Sequence, residues 1–268
     1  MNEIFFNSSV LLVYLAVKYQ GDMDKMLTAI DMVDSDFPYE EALEVYKKLP
    51  CQAVTILDYD YPQQLKQVFR PPMVLFYYGD LSLCHKKSFA VVGSRDMSDY
   101  GKECTETIVK DLAKDCVIIS GLARGIDTAA HECVIRNGGR TIAVLGSGID
   151  NCYPPENKAL YEEIKKNHLV LSEYPFDATP DREHFPMRNR IITGLCDALY
   201  IPQINSYMSG TMISLTMANT LGRGIYIAPH PPGSNTINNK LLDEGANIAD
   251  TVEQIYDDMN WRKKEKFC

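Results

Sequence analysis

Four short stretches of the chain join glycine with a serine or threonine hydroxyl, and a fifth carries arginines, in a way that could hold an anion. They are Gly93-Ser94-Arg95, the run Ser120 to Asp127 with Gly121, Arg124 and Gly125, then Gly146-Ser147-Gly148, then Phe185 to Arg190 with Arg188, Asn189 and Arg190, and Ser209-Gly210-Thr211. Glycine lets backbone N–H groups approach a ligand closely, and hydroxyls add donors. Arginine adds a planar fork matched to phosphate. Tyr153-Pro154, followed by Lys158, offers an aromatic platform with a lysine beside a phosphate track. Each stretch alone is an ordinary turn; together they are the parts of a phosphate-binding surface.

Other chemistries fit less well. Gly146-Ser147-Gly148 begins like a dinucleotide fingerprint, but Asn151 stands where its third glycine belongs, and no G-x-x-x-x-G-K-[ST] phosphate loop is present. Ser94, Ser120 and Ser209 lack the G-x-S-x-G setting of an activated nucleophile and have no evident histidine partner. Asp127 and His131 lie four apart and share a helix face, which suits a metal or an acid–base pair. A metal needs further ligands, so the expectation is that Asp127 caps the first helical turn with His131 packed against it. No catalytic group, metal or cofactor is assigned.

The elements that must carry these stretches are legible from residue 88 onward. Short apolar runs recur at 89–92, 117–119, 141–145, 169–171, 198–201 and 225–228, with a weaker one at 246–248. They are apolar on both faces, as parallel strands covered by helices on both sides require. Helical stretches at 101–114, 125–137, 157–167, 187–195, 211–221, 236–244 and 251–259 fill the gaps. This alternation predicts an α/β fold with a doubly wound, mostly parallel sheet. In such a sheet, ligands bind beyond the carboxyl ends of the strands, where the glycine-bearing loops fall. Residues 1–50 read as a small helical module with helices near 8–20, 26–32 and 39–49. Residues 51–87 read as a connecting extension with a turn, a short helix and a strand at 74–79. The main domain spans 88–260, and 261–268 is a charged tail.

Composition narrows the class. The chain has 268 residues and a net charge of −9, with 46% hydrophobic and 24% charged residues, an ordinary globular balance. Its eight cysteines form no C-x-x-C pair and are read as reduced thiols. The apolar stretch Val10 to Val17 has no basic residues before it and is too short to span a bilayer, so it is read as a buried helix. A cytoplasmic protein that does not engage a membrane is expected. The acidity is uneven. Residues 1–60 hold eleven Asp/Glu against four Lys/Arg, leaving 25 against 23 in the rest. A nearly neutral domain with arginines at one sheet edge suits a focused groove, and the acidic module suits a protein partner.

Six blocks, in order, resemble the DNA-processing protein A (DprA/Smf) family. They are Val91-Val92-Gly93-Ser94-Arg95; Ser120 to Asp127 with Ala130-His131; Gly139, then Thr141 to Gly146 and Gly148; Tyr153-Pro154 with Asn157; Ser172-Glu173-Tyr174; and Phe185-Pro186 with Arg188 to Ile192. The resemblance implies an extended Rossmann-type domain preceded by a sterile-alpha-motif-like module. It implies single-stranded DNA binding without enzymatic activity, protection of DNA during natural transformation, loading of the RecA recombinase, and a homodimer. It implies a DNA pocket at Gly93, Ser94, Arg95, Gly121, Arg124, Lys158, Arg188, Asn189 and Arg190, with Tyr153 and Phe185 as aromatic base contacts. Three positions depart from the family pattern: Pro202-Gln203-Ile204 after the fifth strand, Ser209 to Ser214, and Ala228-Pro229-His230 after the sixth. A stripe of Ile237, Leu241 and Leu242 is a candidate dimer contact, with packing onto the sheet as its alternative. The competing functional reading is a Rossmann-type nucleotide hydrolase or phosphoribosyl-type enzyme using Glu173 or Asp127 as acid or base.

Overall fold

The structure, a computed structural model, describes residues 8–32 and 37–261. Nine strands form one sheet: β1 (Gln52–Thr55), β2 (Val74–Gly79), β3 (Ser88–Val91), β4 (Val117–Ser120), β5 (Arg140–Leu145), β6 (Leu169–Ser172), β7 (Ala198–Ile201), β8 (Gly224–Ile227) and β9 (Asn247–Ile248). Their order is β1-β2-β6-β5-β4-β3-β7-β8-β9. The β1–β2 and β2–β6 pairs are antiparallel, and all others are parallel. The expected strands therefore pair as a doubly wound sheet. The chain runs outward from β3 through β4, β5 and β6, then returns to the other side of β3 as β7. That reversal leaves a crevice between the carboxyl ends of β3 and β7.

Adjacent strand residues alternate between two cores, as the pleat requires. On one face Ala90, Ile119, Ile142 and Leu199 pack under α7 (His184–Leu195), α8 (Gly210–Thr220) and α9 (Asn238–Asp243). On the other, Phe89, Val91 and Ile118 pack under α4 (Asp99–Leu112), α5 (Ile126–Arg136) and α10 (Val252–Asp258). α6 (Lys158–Asn167) covers β5 and β6 on that second side through Tyr161 and Ile164.

The N-terminal helices α1 (Ser8–Lys18), α2 (Met23–Asp31) and α3 (Tyr39–Lys47) continue this second layer. All seven residues from Val10 to Ala16 are buried. A helix apolar all round must be covered all round; here α2 and α3 lie on one side, and β1 and β2 on the other. Val13 and Leu15 share a core with Val74, Phe76 and Val170. The 51–87 segment is more than a connector, because β1 and β2 extend the main sheet and seat the helices. The expected boundary at residue 88 therefore falls inside one continuous sheet. Two further expectations meet the structure differently. Ile237 and Leu241 are buried in the core and Leu242 packs half-buried against it, so they form no exposed stripe. The charged tail lies outside the described residues, apart from Trp261. Seven cysteines are free thiols, and Cys268 lies outside the described residues. Among the described residues, no helix is long and apolar enough to cross a membrane.

Candidate nucleic-acid interface

A groove of about 780 Å³ opens at the β3–β7 crevice. Its floor is the loop after β3. Gly93 is required by close approach: a Cβ there would stand 2.5 Å from Ile126 Cγ1 and 2.8 Å from the Gln203 carbonyl. The Ser94 N–H donates to that carbonyl at 2.9 Å. The Ser94 hydroxyl donates to Asp96 O and accepts from Asn205 Nδ2, both at 2.9 Å. Arg95 is left exposed, its guanidinium 5.8 Å from the centre of the Phe185 ring. Phe185 leans on Tyr153, ring centres 5.4 Å apart at 49°. Cation and two rings thus form one continuous surface, as a stacked base beside its phosphate would need. A smaller pocket, lined by Gly121, Arg124 and Pro154 as well as Arg95, Tyr153 and Phe185, adjoins it.

The loop after β4 is organised from within. Asp127, 6% exposed, accepts from the N–H groups of Gly121 (3.1 Å) and Ala123 (3.4 Å). Burial pushes its carboxyl pKa up, while Arg188 and the two N–H groups oppose the rise. Leu122 takes a positive φ of 59° and Gly125 one of 73°, a tight path across the helix entrance. Two of the N–H groups that the sequence pattern assigns to a phosphate are instead taken by an internal carboxylate. Nor is Asp127 a cap with His131 against it. His131 Nδ1 lies 2.7 Å from the Thr141 hydroxyl, which donates its only proton to Ile118 O. Nδ1 therefore carries the proton and donates. Burial is the main cause that lowers the His131 pKa to about 3, so the ring is neutral. Among the described residues, no group of three or more His, Cys, Asp or Glu could hold a metal.

The arginines of α7 divide. Arg188 is buried and donates from Nη1 to Gly121 O (2.7 Å) and to Val144 O, tying the ends of β4 and β5 to α7. Burial lowers its pKa to about 10, with Asp127 opposing. One edge of Arg188 still lines the groove, as does Asn189, whose Nδ2 donates to Gly210 O at 3.2 Å. Arg190 does not reach the groove. It points back into the protein and binds both carboxylate oxygens of Glu173, at 2.6 and 2.8 Å. Its Nε donates to Arg70 O at 3.0 Å. The two arginines are two residues apart, about 200° around a helix, so they face opposite sides. Arg124 is exposed and ion-paired with Glu156. Lys158 is exposed at the start of α6 and lines neither cavity.

Sequence reasoning missed Asn205, Arg182 and Met208, which also line the groove. Asn205 lies just beyond β7, so the switch-point rule could have found it. Two of the three departures from the family pattern, at Gln203 and His230, are accommodated inside the fold. Gln203 Oε1 accepts from the Ser98 N–H and hydroxyl, both at 2.9 Å, and its Nε2 donates to Asn205 Oδ1 at 2.7 Å. His230 is buried, with Nε2 2.9 Å from Pro202 O and its ring edge-on to Tyr100.

The DNA recombination-mediator protein A family profile matches residues 52–260. The DNA processing protein DprA of Streptococcus pneumoniae is 40% identical over 212 residues, 78% of this chain and 74% of that protein. The DprA of Bacillus subtilis is 36% identical over 223 residues, 81% of this chain and 74% of the relative. The X-ray structure of the S. pneumoniae protein superposes with a TM-score of 0.77 at 32% identity, covering 92% of both chains. A Helicobacter pylori DprA structure, described for its single-stranded DNA binding mode, superposes at 0.71 with 30% identity over 79% of this chain and 97% of that one. On the profile match, the identities and the shared sheet, this chain belongs to the DNA recombination-mediator protein A family.

Proposed function

We propose that this chain is a recombination mediator that binds single-stranded DNA in the β3–β7 groove. Its role would be to protect incoming DNA in natural transformation and load the RecA recombinase onto it. The observation that carries the reading is the surface formed by Arg95, Phe185 and Tyr153 at the switch point. The exposed Tyr153 ring and the half-buried Phe185 ring, both lining the groove, accept any base by stacking, and the adjoining guanidinium neutralises a phosphate. A duplex keeps its bases stacked inside and cannot offer them to the rings. The relative from H. pylori, described for its single-stranded DNA binding mode, supports a single strand as the ligand.

The reading is of a binding protein, not an enzyme. The two carboxyls considered for acid–base chemistry are occupied, Asp127 by loop N–H groups and Glu173 by Arg190. A homodimer belongs to the proposal, with its contact elsewhere than the buried Ile237 and Leu241. Sedimentation of the purified protein across concentrations tests that part.

The main test is a titration of labelled single strands and duplexes of equal length at several salt concentrations. Preference for the single strand, with affinity falling as salt rises, is expected. Equal affinity for both forms contradicts the proposal.

A further inference from the structure

The loops at the carboxyl edge of the sheet spend nearly all their hydroxyls and many of their N–H groups internally. Ser94 bonds Asp96 and Asn205, Ser120 bonds Val91 O, Ser147 bonds Asn151 O, and Ser172 bonds Ser147 O. The N–H groups of Ser94, Ile126 and Gly148 donate to backbone carbonyls, and those of Gly121 and Ala123 donate to Asp127.

The start of α8 is different. Its N-cap Ser209 makes no side-chain capping bond, and the Ser209 Oγ is buried without a partner. Thr211 is only 7% exposed and lines the groove, yet its hydroxyl has no hydrogen-bond partner among the described residues. The Ser209 N–H donates to Ser206 O and the Met212 N–H to Ser209 O, leaving those of Gly210 and Thr211 without acceptors among the described residues. The space ahead is open: a Cβ on Gly210 would meet nothing closer than Asn189 Nδ2, at 3.9 Å. A buried hydroxyl left unbonded costs free energy unless a ligand satisfies it.

Resting on the single-strand reading above, we propose that Ser209, Gly210 and Thr211 form a second phosphate subsite, which seats an internal phosphodiester of the strand whose bases meet Phe185 and Tyr153. Two N–H groups and two hydroxyls belong to the N-cap and first turn at the positive end of an 11-residue helix. The non-bridging oxygens of a phosphodiester are acceptors only, which matches a set rich in donors. Arg95 and Arg182 line the same groove and add positive charge.

The test uses a labelled oligothymidine with hydroxyls at both ends, so that any phosphate bound is internal. Gly210→Pro removes one donor at a helix position that tolerates proline, and Gly210→Ala keeps it. Thr211→Val removes the hydroxyl at nearly constant shape. We expect Gly210→Ala to bind within about twofold of wild type, and Gly210→Pro and Thr211→Val each to lose about tenfold. Because the Thr211 hydroxyl bonds no other described protein group, Thr211→Val should keep or raise the urea midpoint. Wild-type affinity in both weakened variants overturns the subsite while leaving DNA binding intact. A falling urea midpoint in Thr211→Val overturns the claim that the hydroxyl is unbonded. Absence of binding by the wild type overturns the single-strand reading itself.

Discussion

At the β1–β2 end of the sheet, polar groups close on one another. Asp58 accepts from the Thr55 N–H at 2.7 Å and its hydroxyl at 2.9 Å, and the Tyr61 hydroxyl donates to Pro72 O at 2.7 Å. At the carboxyl ends of β3 and β7, Arg95 is exposed beside two rings, and Ser209 and Thr211 hold hydroxyls without partners among the described residues, the Ser209 Oγ being buried. Both regions are built on the same sheet, and both bury apolar side chains well. They differ in whether the polar atoms are satisfied from within. The first region spends its groups on stability; the second leaves a few of them, at Arg95, Ser209 and Thr211, for a ligand. Substitutions in the first should therefore change unfolding and spare binding, and those in the second should do the reverse.

The largest effect is expected at the buried ion pair behind the groove. Glu173→Ala leaves the Arg190 guanidinium unpaired and should cost about 3–5 kcal/mol, read as a lowered urea midpoint. A cost under about 1 kcal/mol would mean that the pair is solvated and contributes little. Next, Leu15→Ala in α1 should cost about 2–4 kcal/mol. Because α1 shares a core with β2 and β6, unfolding should remain a single transition when followed by both circular dichroism and tyrosine fluorescence. Two separated transitions would make the helical module an independent unit.

The His131 ring sharpens the comparison through pH. Its pKa is about 3 when folded, against about 6.5 in an unfolded chain. Below pH 6.5 the unfolded state takes up the proton and the folded state does not, so stability falls with pH through that window. The loss is about 1.4 kcal/mol per unit, or about 2–3 kcal/mol at pH 4.5. Comparing wild type with His131→Asn across pH 4.5–7.5 isolates this share, and parallel curves would show that His131 does not titrate differently on unfolding. The smallest effect on folding is expected at Arg124. It is exposed and paired with Glu156, so Arg124→Ala should change stability by less than about 0.5 kcal/mol while weakening DNA binding several-fold at low salt.

How much of this was legible in the sequence depends on the local environment. The parallel strands were plain because burial on both faces writes continuous apolar runs, as at Ala198 to Ile201. β1 was not, because Gln52-Ala53-Val54-Thr55 is short and half polar at a sheet edge. The groove's position followed from the loops after the strands, and Arg95 stands there as expected. Arg190 lies outside the groove, paired with Glu173, as a two-residue spacing from Arg188 on a helix requires. The Gly121–Ala123 N–H groups looked free because nothing local reveals that Asp127 folds back onto them. Ile237 and Leu241 carry the periodicity of any packed helix, which does not distinguish a core from an interface.

The most direct test of the central claim is the salt dependence of single-strand binding by wild type and Arg95→Ala. The account expects Arg95→Ala to lose about tenfold in affinity at low salt and to lower the slope of log affinity against log salt by about 0.7, with the urea midpoint unchanged. Unchanged affinity and slope in a folded Arg95→Ala protein would contradict it.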